Sequence, residues 1–219
     1  MEETAGEKWV DSAFFEIVGS NPVYSFEGAG PKRLLIMSGL PLSGKTFFIN
    51  RMNRFRPGRF QQVNSHTVRP VVVRHMGRKK PAYDTEEHIA TFAVCNRLLL
   101  LILKNGWSVI ADATNLKEKY RAWAVDAGKR TGAEMLTVFM QVTDATAESR
   151  LRERVSESSA TYDTYLQLKY DLEPVTACST PYLVVDSEVD ISPHVNGVAK
   201  WLCGEANTVN GAVSPKAYS

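Results

Sequence analysis

The sequence predicts an α/β fold, with a parallel sheet covered by helices on both faces. Three observations lead there. Short apolar runs alternate with longer helical stretches, a glycine-rich loop joins the first run to the first long helix, and a later run ends on aspartate. In such sheets ligands bind beyond the carboxyl ends of the strands. Functional residues are therefore expected just after Met37, Ala111, Val142 and Val185.

The first thirty residues are irregular, with Gly19, Pro22, Gly28, Gly30 and Pro31, and Trp9 to Val18 reads as a short helix. Residues 1–30 are an N-terminal extension expected to pack on or beside the core. Arg33 to Met37 is an apolar run before glycine, which reads as a buried strand. Lys45 to Phe55 reads as a helix. Val71 to Val73 is β-branched but lies among Pro and basic residues, and is read as loop. Asp84 and Glu87 make a capping pair for a long helix that stops at Asn105-Gly106. Trp107 to Ala111 is the next strand, and Asn115 is read as the cap of a helix running to Thr131 and closed by Gly132. Met135 to Val142 is a strand, Asp144 and Asp163 cap two further helices, and Tyr182 to Val185 is the last clear strand. Ser192-Pro193 opens the final helix, with Pro in its first turn. Residues 31–203 thus form one domain, and the small, polar residues 204–219 read as a flexible tail.

Bulk properties narrow the class. The chain has 219 residues, 44% hydrophobic and 23% charged, enough for one full core. A net charge of +2 does not mark a dedicated nucleic-acid binder. The longest apolar run, Leu98 to Leu103, is far too short to span a membrane. The acidic start Met1-Glu2-Glu3-Thr4 lacks the features of a signal peptide. Cys95, Cys178 and Cys203 are odd in number and far apart, which fits free thiols in a reducing compartment, and the cytoplasm is the expected location. Any metal is expected on oxygen ligands and phosphate.

Residues 39–46 read Gly-Leu-Pro-Leu-Ser-Gly-Lys-Thr and match G-x-x-x-x-G-K-[ST] at every fixed position. Gly39 and Gly44 let the backbone bend so that its N–H groups, with those of Leu42, Ser43, Lys45, Thr46 and Phe47, point into one anion-binding concavity. Lys45 places a charge on the outer phosphates, Thr46 offers a hydroxyl to Mg²⁺, and the following helix aims its positive end at the same group. ATP and Mg²⁺ are the expected cofactors. The second signal is Trp107-Ser-Val-Ile-Ala-Asp112, an apolar strand ending on a carboxylate beside that loop. Asp112 is placed to hold Mg²⁺ or orient an acceptor. No acidic residue follows it and no Asn-Lys-x-Asp occurs, which argues against a motor ATPase and a guanine-specific switch.

Asp112-Ala113-Thr114-Asn115, followed by Arg121, together with the phosphate loop, resembles the polynucleotide-kinase-like P-loop kinases, a group also described as AAA-type ATP-binding proteins. The resemblance runs from about Leu34 to Leu202. It includes Pro81-Ala82-Tyr83-Asp84, Tyr162-Asp163-Thr164-Tyr165 and Leu172-Glu173-Pro174. It implies a P-loop kinase fold with a helical lid. It also implies γ-phosphoryl transfer from ATP to a hydroxyl, in a group whose acceptors include nucleic-acid 5′ ends, tRNA-linked serine, sugars and antibiotics. Relatives carry Asp-x-x-Arg after the second strand, the Asp as general base and the Arg on acceptor phosphate. The matching stretch here is His66-Thr67-Val68-Arg69, so Arg69 is kept and His66 stands where Asp is usual. Three readings stay open: neutral His66 is the base, Asp112 takes that role, or the protein has no ordinary acceptor.

Arg150 and Arg154 are four apart on a helix after a strand. In related kinases such arginines lie in a lid over ATP, and one of them stabilises the transferred group. Here the lid is expected over about Arg150 to Tyr162, with a flexible turn at residues 156–160, while Arg152 reads as a solvated charge. Arg69, Arg74, His75, Arg78, Lys79 and Lys80 make a basic stretch suited to an anionic or hydroxyl-bearing acceptor, nucleic acid included. The alternative to a kinase is a nucleotide-binding regulatory ATPase or switch without an acceptor.

Overall fold

The computed structural model describes residues 5–21, 28, 30–153, 162–173 and 179–214. Arg154, the turn at 156–160 and Cys178 lie outside the described residues.

Five strands form one parallel sheet: β1 (Arg33–Ser38), β2 (Gln61–Asn64), β3 (Val109–Asp112), β4 (Glu134–Gln141) and β5 (Tyr182–Asp186), in the order β2-β3-β1-β4-β5. β1 is central and buried along its whole length, its apolar run Leu34 to Met37 lying between two helical layers. Its register places Met37 beside Asp112 of β3 and Val138 of β4. Both sequence signals therefore end at the same edge of the sheet.

One face is covered by α2 (Lys45–Phe55), through Phe48, Ile49 and Met52, and by α8 (Ser192–Leu202), through Val195, Val198 and Trp201. The other is covered by α3 (Ser65–His75), α4 (Thr85–Lys104) and α5 (Glu118–Thr131), with α1 (Ala5–Ser20) seated on α3 and α4. α6 (Asp144–Arg152) and α7 (Tyr162–Tyr170) join β4 to β5, and Ala147 and Tyr165 pack with Leu40 and Leu116 in a small third cluster.

Several expectations need correction. The stretch around Val71 to Val73 is helical, within α3. Asn64 caps α3 by accepting from the His66 N–H, Val68 and Val72 supply a buried stripe at helical spacing, and Pro70 lies on the exposed side. Burial of that stripe outweighs the single backbone bond that Pro70 removes. β2 carries too little apolar signal, at Gln-Gln-Val-Asn, to be read from sequence. α1 is longer than the segment Trp9 to Val18, and it is held by Asp11–Arg97 and by Glu16 on Arg74 and His75 of α3. Asn115 does not cap α5, whose N-cap is Lys117 without a side-chain bond. Thr143, not Asp144, caps α6. Residues 204–214 pack back on the domain instead of fraying. Val209 joins the core, and Val213 and Tyr182 exchange backbone bonds of 2.7 and 2.9 Å. The buried Arg33 anchors that segment by donating to the carbonyls of Trp201 and Ala206 while pairing with Glu134.

Candidate active site

The phosphate loop leaves β1 at Gly39 and enters α2 through Gly44. Gly39 has φ +143°, and a Cβ there would lie 2.6 Å from the Met140 carbonyl oxygen and 2.7 Å from Ser43 Oγ, so no other residue fits. Gly44 (φ +89°) and Leu42 (φ +67°) bend the chain the same way. Such a succession turns backbone N–H groups toward one point at a helix start. A left-handed leucine is strained backbone of the kind that clusters at ligand sites. Lys45 folds across the loop and donates to the Gly39 and Leu40 carbonyls, both at 2.8 Å. Thr46 and Phe47 are exposed on the first turn of α2.

Burial lowers the Lys45 ammonium to about 8, with the Asp112 charge opposing that shift. Because the folded value lies below the unfolded 10.5, the free protein binds fewer protons than the unfolded chain between those limits. It therefore gains stability as pH rises through that window. A polyphosphate at Lys45 favours the charged form, so ATP binding is expected to take up protons at pH 8 to 9. Calorimetric heats measured at that pH in Tris and in phosphate should then differ in proportion to buffer ionisation enthalpy. Identical heats in the two buffers would contradict this assignment.

Asp112 is buried at the end of β3, and burial raises its pKa, while Lys45, a Gln62 hydrogen bond and the charge of His66 pull it down. Its Oδ2 accepts from Gln62 Nε2 at 2.8 Å and Asn64 Nδ2 at 2.7 Å, both from β2. Those amides were not identified from sequence, because only strand pairing brings positions fifty residues apart together. The turn after Asp112 is laced to the phosphate loop. Thr114 accepts from the Gly39 N–H at 3.0 Å, Asn115 Nδ2 donates to the Met37 carbonyl at 2.8 Å, and the Asn115 carbonyl accepts from Ser38 Oγ at 3.0 Å. Asn115 has φ +46°, which Asn tolerates better than most residues.

On the β2 side, α3 carries His66 and Arg69. His66 is exposed and near enough to Asp112 for its charge to act there. Arg69 is 7% exposed, donates to Glu87 Oε1 at 2.7 Å, and stands 4.9 Å from the centre of the Tyr83 ring. Glu87 is fully buried and its other oxygen takes the Ala82 N–H at 2.7 Å. The expected capping pair is therefore half right: Asp84 accepts from the Glu87 N–H at 2.9 Å, but the Glu87 carboxylate serves Arg69. The basic stretch is largely neutralised by carboxylates of α1 and of the start of α4. Arg74 and His75 pair with Glu16, and Arg78 pairs with Asp84 and Glu86. This weakens its reading as an open surface for an anionic acceptor.

Arg150, from α6, reaches the loop from the opposite side. It donates to the Leu42 carbonyl at 2.8 Å and to Ser187 Oγ and carbonyl at 3.0 Å each. Arg152 is exposed and pairs with Glu148, as a solvated helix charge. Lys45, Asp112, His66, Arg69 and Arg150 are thus gathered along the carboxyl edge of β2, β3, β1 and β4.

A family profile described as an AAA domain matches residues 34–174. The chain belongs to the AAA domain family. Solved structures share the fold. A gluconokinase from Sinorhizobium meliloti 1021 superposes with a TM-score of 0.59 at 15% identity, over 81% of this chain and 95% of that one. The APS kinase CysC of Mycobacterium tuberculosis, solved with AMPPNP and APS, gives 0.57 at 14%, over 81% and 98%. Kti12 of Chaetomium thermophilum, solved with ADP-AlF3, gives 0.53 at 18%, over 76% and 95%. No curated protein matches the sequence. This member of the AAA domain family has a P-loop kinase-like fold, and its α1, β5 and α8 lie outside the matched span.

Proposed function

We propose that the protein transfers the γ-phosphoryl group of ATP to a hydroxyl acceptor. The supporting observation is that Lys45, at the start of α2, and Asp112, at the end of β3, feel each other's charge in a buried setting that shifts both. Fold-level likeness to kinases agrees with this reading but names no acceptor.

In this mechanism the N–H groups of residues 42–47 and Lys45 hold the phosphates, and Arg150 fixes the loop at Leu42. The donors fit Mg²⁺: the exposed Thr46 hydroxyl and an Asp112 carboxylate with one oxygen outside the Gln62 and Asn64 bonds are hard oxygens. Among the described residues no three His, Cys, Asp or Glu side chains gather as a closed metal site, so the phosphates would complete the coordination. Bound there, Mg²⁺ would neutralise charge on the phosphates. Arg154 would offset charge on the transferring group. His66 or Asp112 takes the acceptor proton, and Arg69, held by Glu87 through Nη1, positions the acceptor.

The test is a screen with labelled ATP against oligonucleotides, tRNA, nucleosides and sugars. Label in none of them, with ATP binding intact, would reverse the proposal. The second reading, an ATP-dependent switch, is favoured by His66 standing where relatives carry Asp. If His66 is the base, transfer should fall with pH through its pKa, because only neutral imidazole accepts a proton. That acidic limb should move or vanish in His66→Asn, and His66→Asp should keep more activity than His66→Asn. An unchanged pH profile in His66→Asn assigns the proton to Asp112. A cytoplasmic location is part of the same proposal, supported by the buried free thiols Cys95 and Cys203. Among the described residues no helix is long and apolar enough to cross a membrane.

A further inference from the structure

Arg121 is fully buried, and the chemistry above does not use it. Its Nε donates to Glu118 Oε2 at 2.9 Å and its Nη1 to the Asn115 carbonyl at 2.8 Å. Its guanidinium lies 5.2 Å from the centre of the Phe139 ring. Nη2 is buried without a hydrogen-bond partner among the described residues, and Glu173 Oε2 stands 3.9 Å away. A buried guanidinium is costly unless matched in charge and donors. One left incompletely matched calls for a reason other than core stability.

The reason lies in what its two good bonds hold. The Asn115 carbonyl takes donors from Arg121 and from Ser38 at once, on a residue held at φ +46°. Asn115 in turn grips Met37, and its neighbour Thr114 grips the Gly39 N–H. Arg121 therefore braces the turn after Asp112 and the point where the phosphate loop leaves β1. On its far side are carboxylates tied to the chain beyond α7. Glu173 Oε2 accepts from the Glu118 N–H, the Glu173 N–H donates to the Leu116 carbonyl at 3.1 Å, and Glu118 Oε1 accepts from the Ser179 N–H at 3.2 Å. α7 is itself fastened to the start of α6 by Tyr165 and Lys169 on Asp144.

We propose that Arg121 is a positioning residue for the nucleotide site, tying the phosphate loop to the segment after α7, with Glu173 as the arm that transmits it. The proposal rests on ATP binding at the loop and not on the identity of the acceptor. Lysine in place of Arg121 keeps the charge but cannot reach Glu118 and Asn115 with one fork.

The experiment measures ATP affinity by calorimetry and unfolding temperature for wild type, Arg121→Lys, Glu173→Gln and Arg33→Lys. Arg33 is the control, a buried arginine whose guanidinium holds Glu134, Trp201 and Ala206. Arg121→Lys is expected to weaken ATP binding roughly tenfold and Glu173→Gln about threefold, ordinary magnitudes for coupled elements. Arg33→Lys should lower the unfolding temperature yet leave ATP affinity within about twofold of wild type, because it sits at the other end of β1. If Arg121→Lys fails to fold, Glu173→Gln decides, since an amide there keeps an acceptor for the Glu118 N–H. Wild-type affinity in both Arg121→Lys and Glu173→Gln overturns the proposal. So does an equal loss in Arg33→Lys. A protein that binds ATP but labels no acceptor removes the kinase reading and leaves this one standing.

Discussion

Lys45→Ala is expected to lower ATP turnover by about two to three orders of magnitude, the usual cost of removing a group aimed at phosphoryl charge. The fold should survive, and stability near pH 7 should hold or rise, because the charged form of Lys45 is disfavoured by its burial. Its hydrogen bonds to the carbonyls of Gly39 and Leu40 and to Ser43 Oγ lie at the ligand edge of the sheet, so their loss leaves the core untouched. Calorimetry with ATP separates the outcomes: undiminished binding by a folded Lys45→Ala protein would falsify the phosphate-site assignment.

Asp112→Asn is expected to cost about a hundredfold or more in phosphoryl transfer, through loss of the charge that serves the cation or the acceptor. The substitution is nearly isosteric, and the amide oxygen still accepts from Gln62 and Asn64. Because burial disfavours the carboxylate, the variant should unfold at the same temperature as wild type or higher. Lys45 should also deprotonate more easily, since the charge of Asp112 supports its ammonium. A folded Asp112→Asn protein with transfer within threefold of wild type would remove Asp112 from the mechanism. A large loss of stability would instead mark the carboxylate as a structural group.

How much of the site is legible beforehand depends on what holds each residue. The phosphate loop is readable because its geometry is local. Gly39 and Gly44 are demanded by positive φ, and Gly39 also by a Met140 carbonyl closer than any Cβ allows. Asp112 is readable because an apolar strand places its last residue at the sheet edge. α3 is misread because its helix rests on a buried stripe against α4, which outweighs Pro70, and no local propensity reports that contact. Asn115 looks like a helix cap and is instead a bracket on β1, a role that exists only once β1 and β3 are paired. The basic stretch looks open to an anion until Glu16, Asp84, Glu86 and Glu87 arrive, the first from α1 and the other three from the cap and first turn of α4, the helix it precedes.

By itself the sequence determined the parallel α/β sheet, the phosphate loop at residues 39–46, the strand-end Asp112 and the final helix at Ser192-Pro193, because each follows from periodicity or from backbone conformations that few residues tolerate. Only the tertiary structure decided that Gln62 and Asn64 hold Asp112, that Glu87 holds Arg69, that Arg121 braces Asn115, and that residues 204–214 close on the core. Those bonds join groups distant in sequence, and their strength depends on burial that only the packed chain supplies.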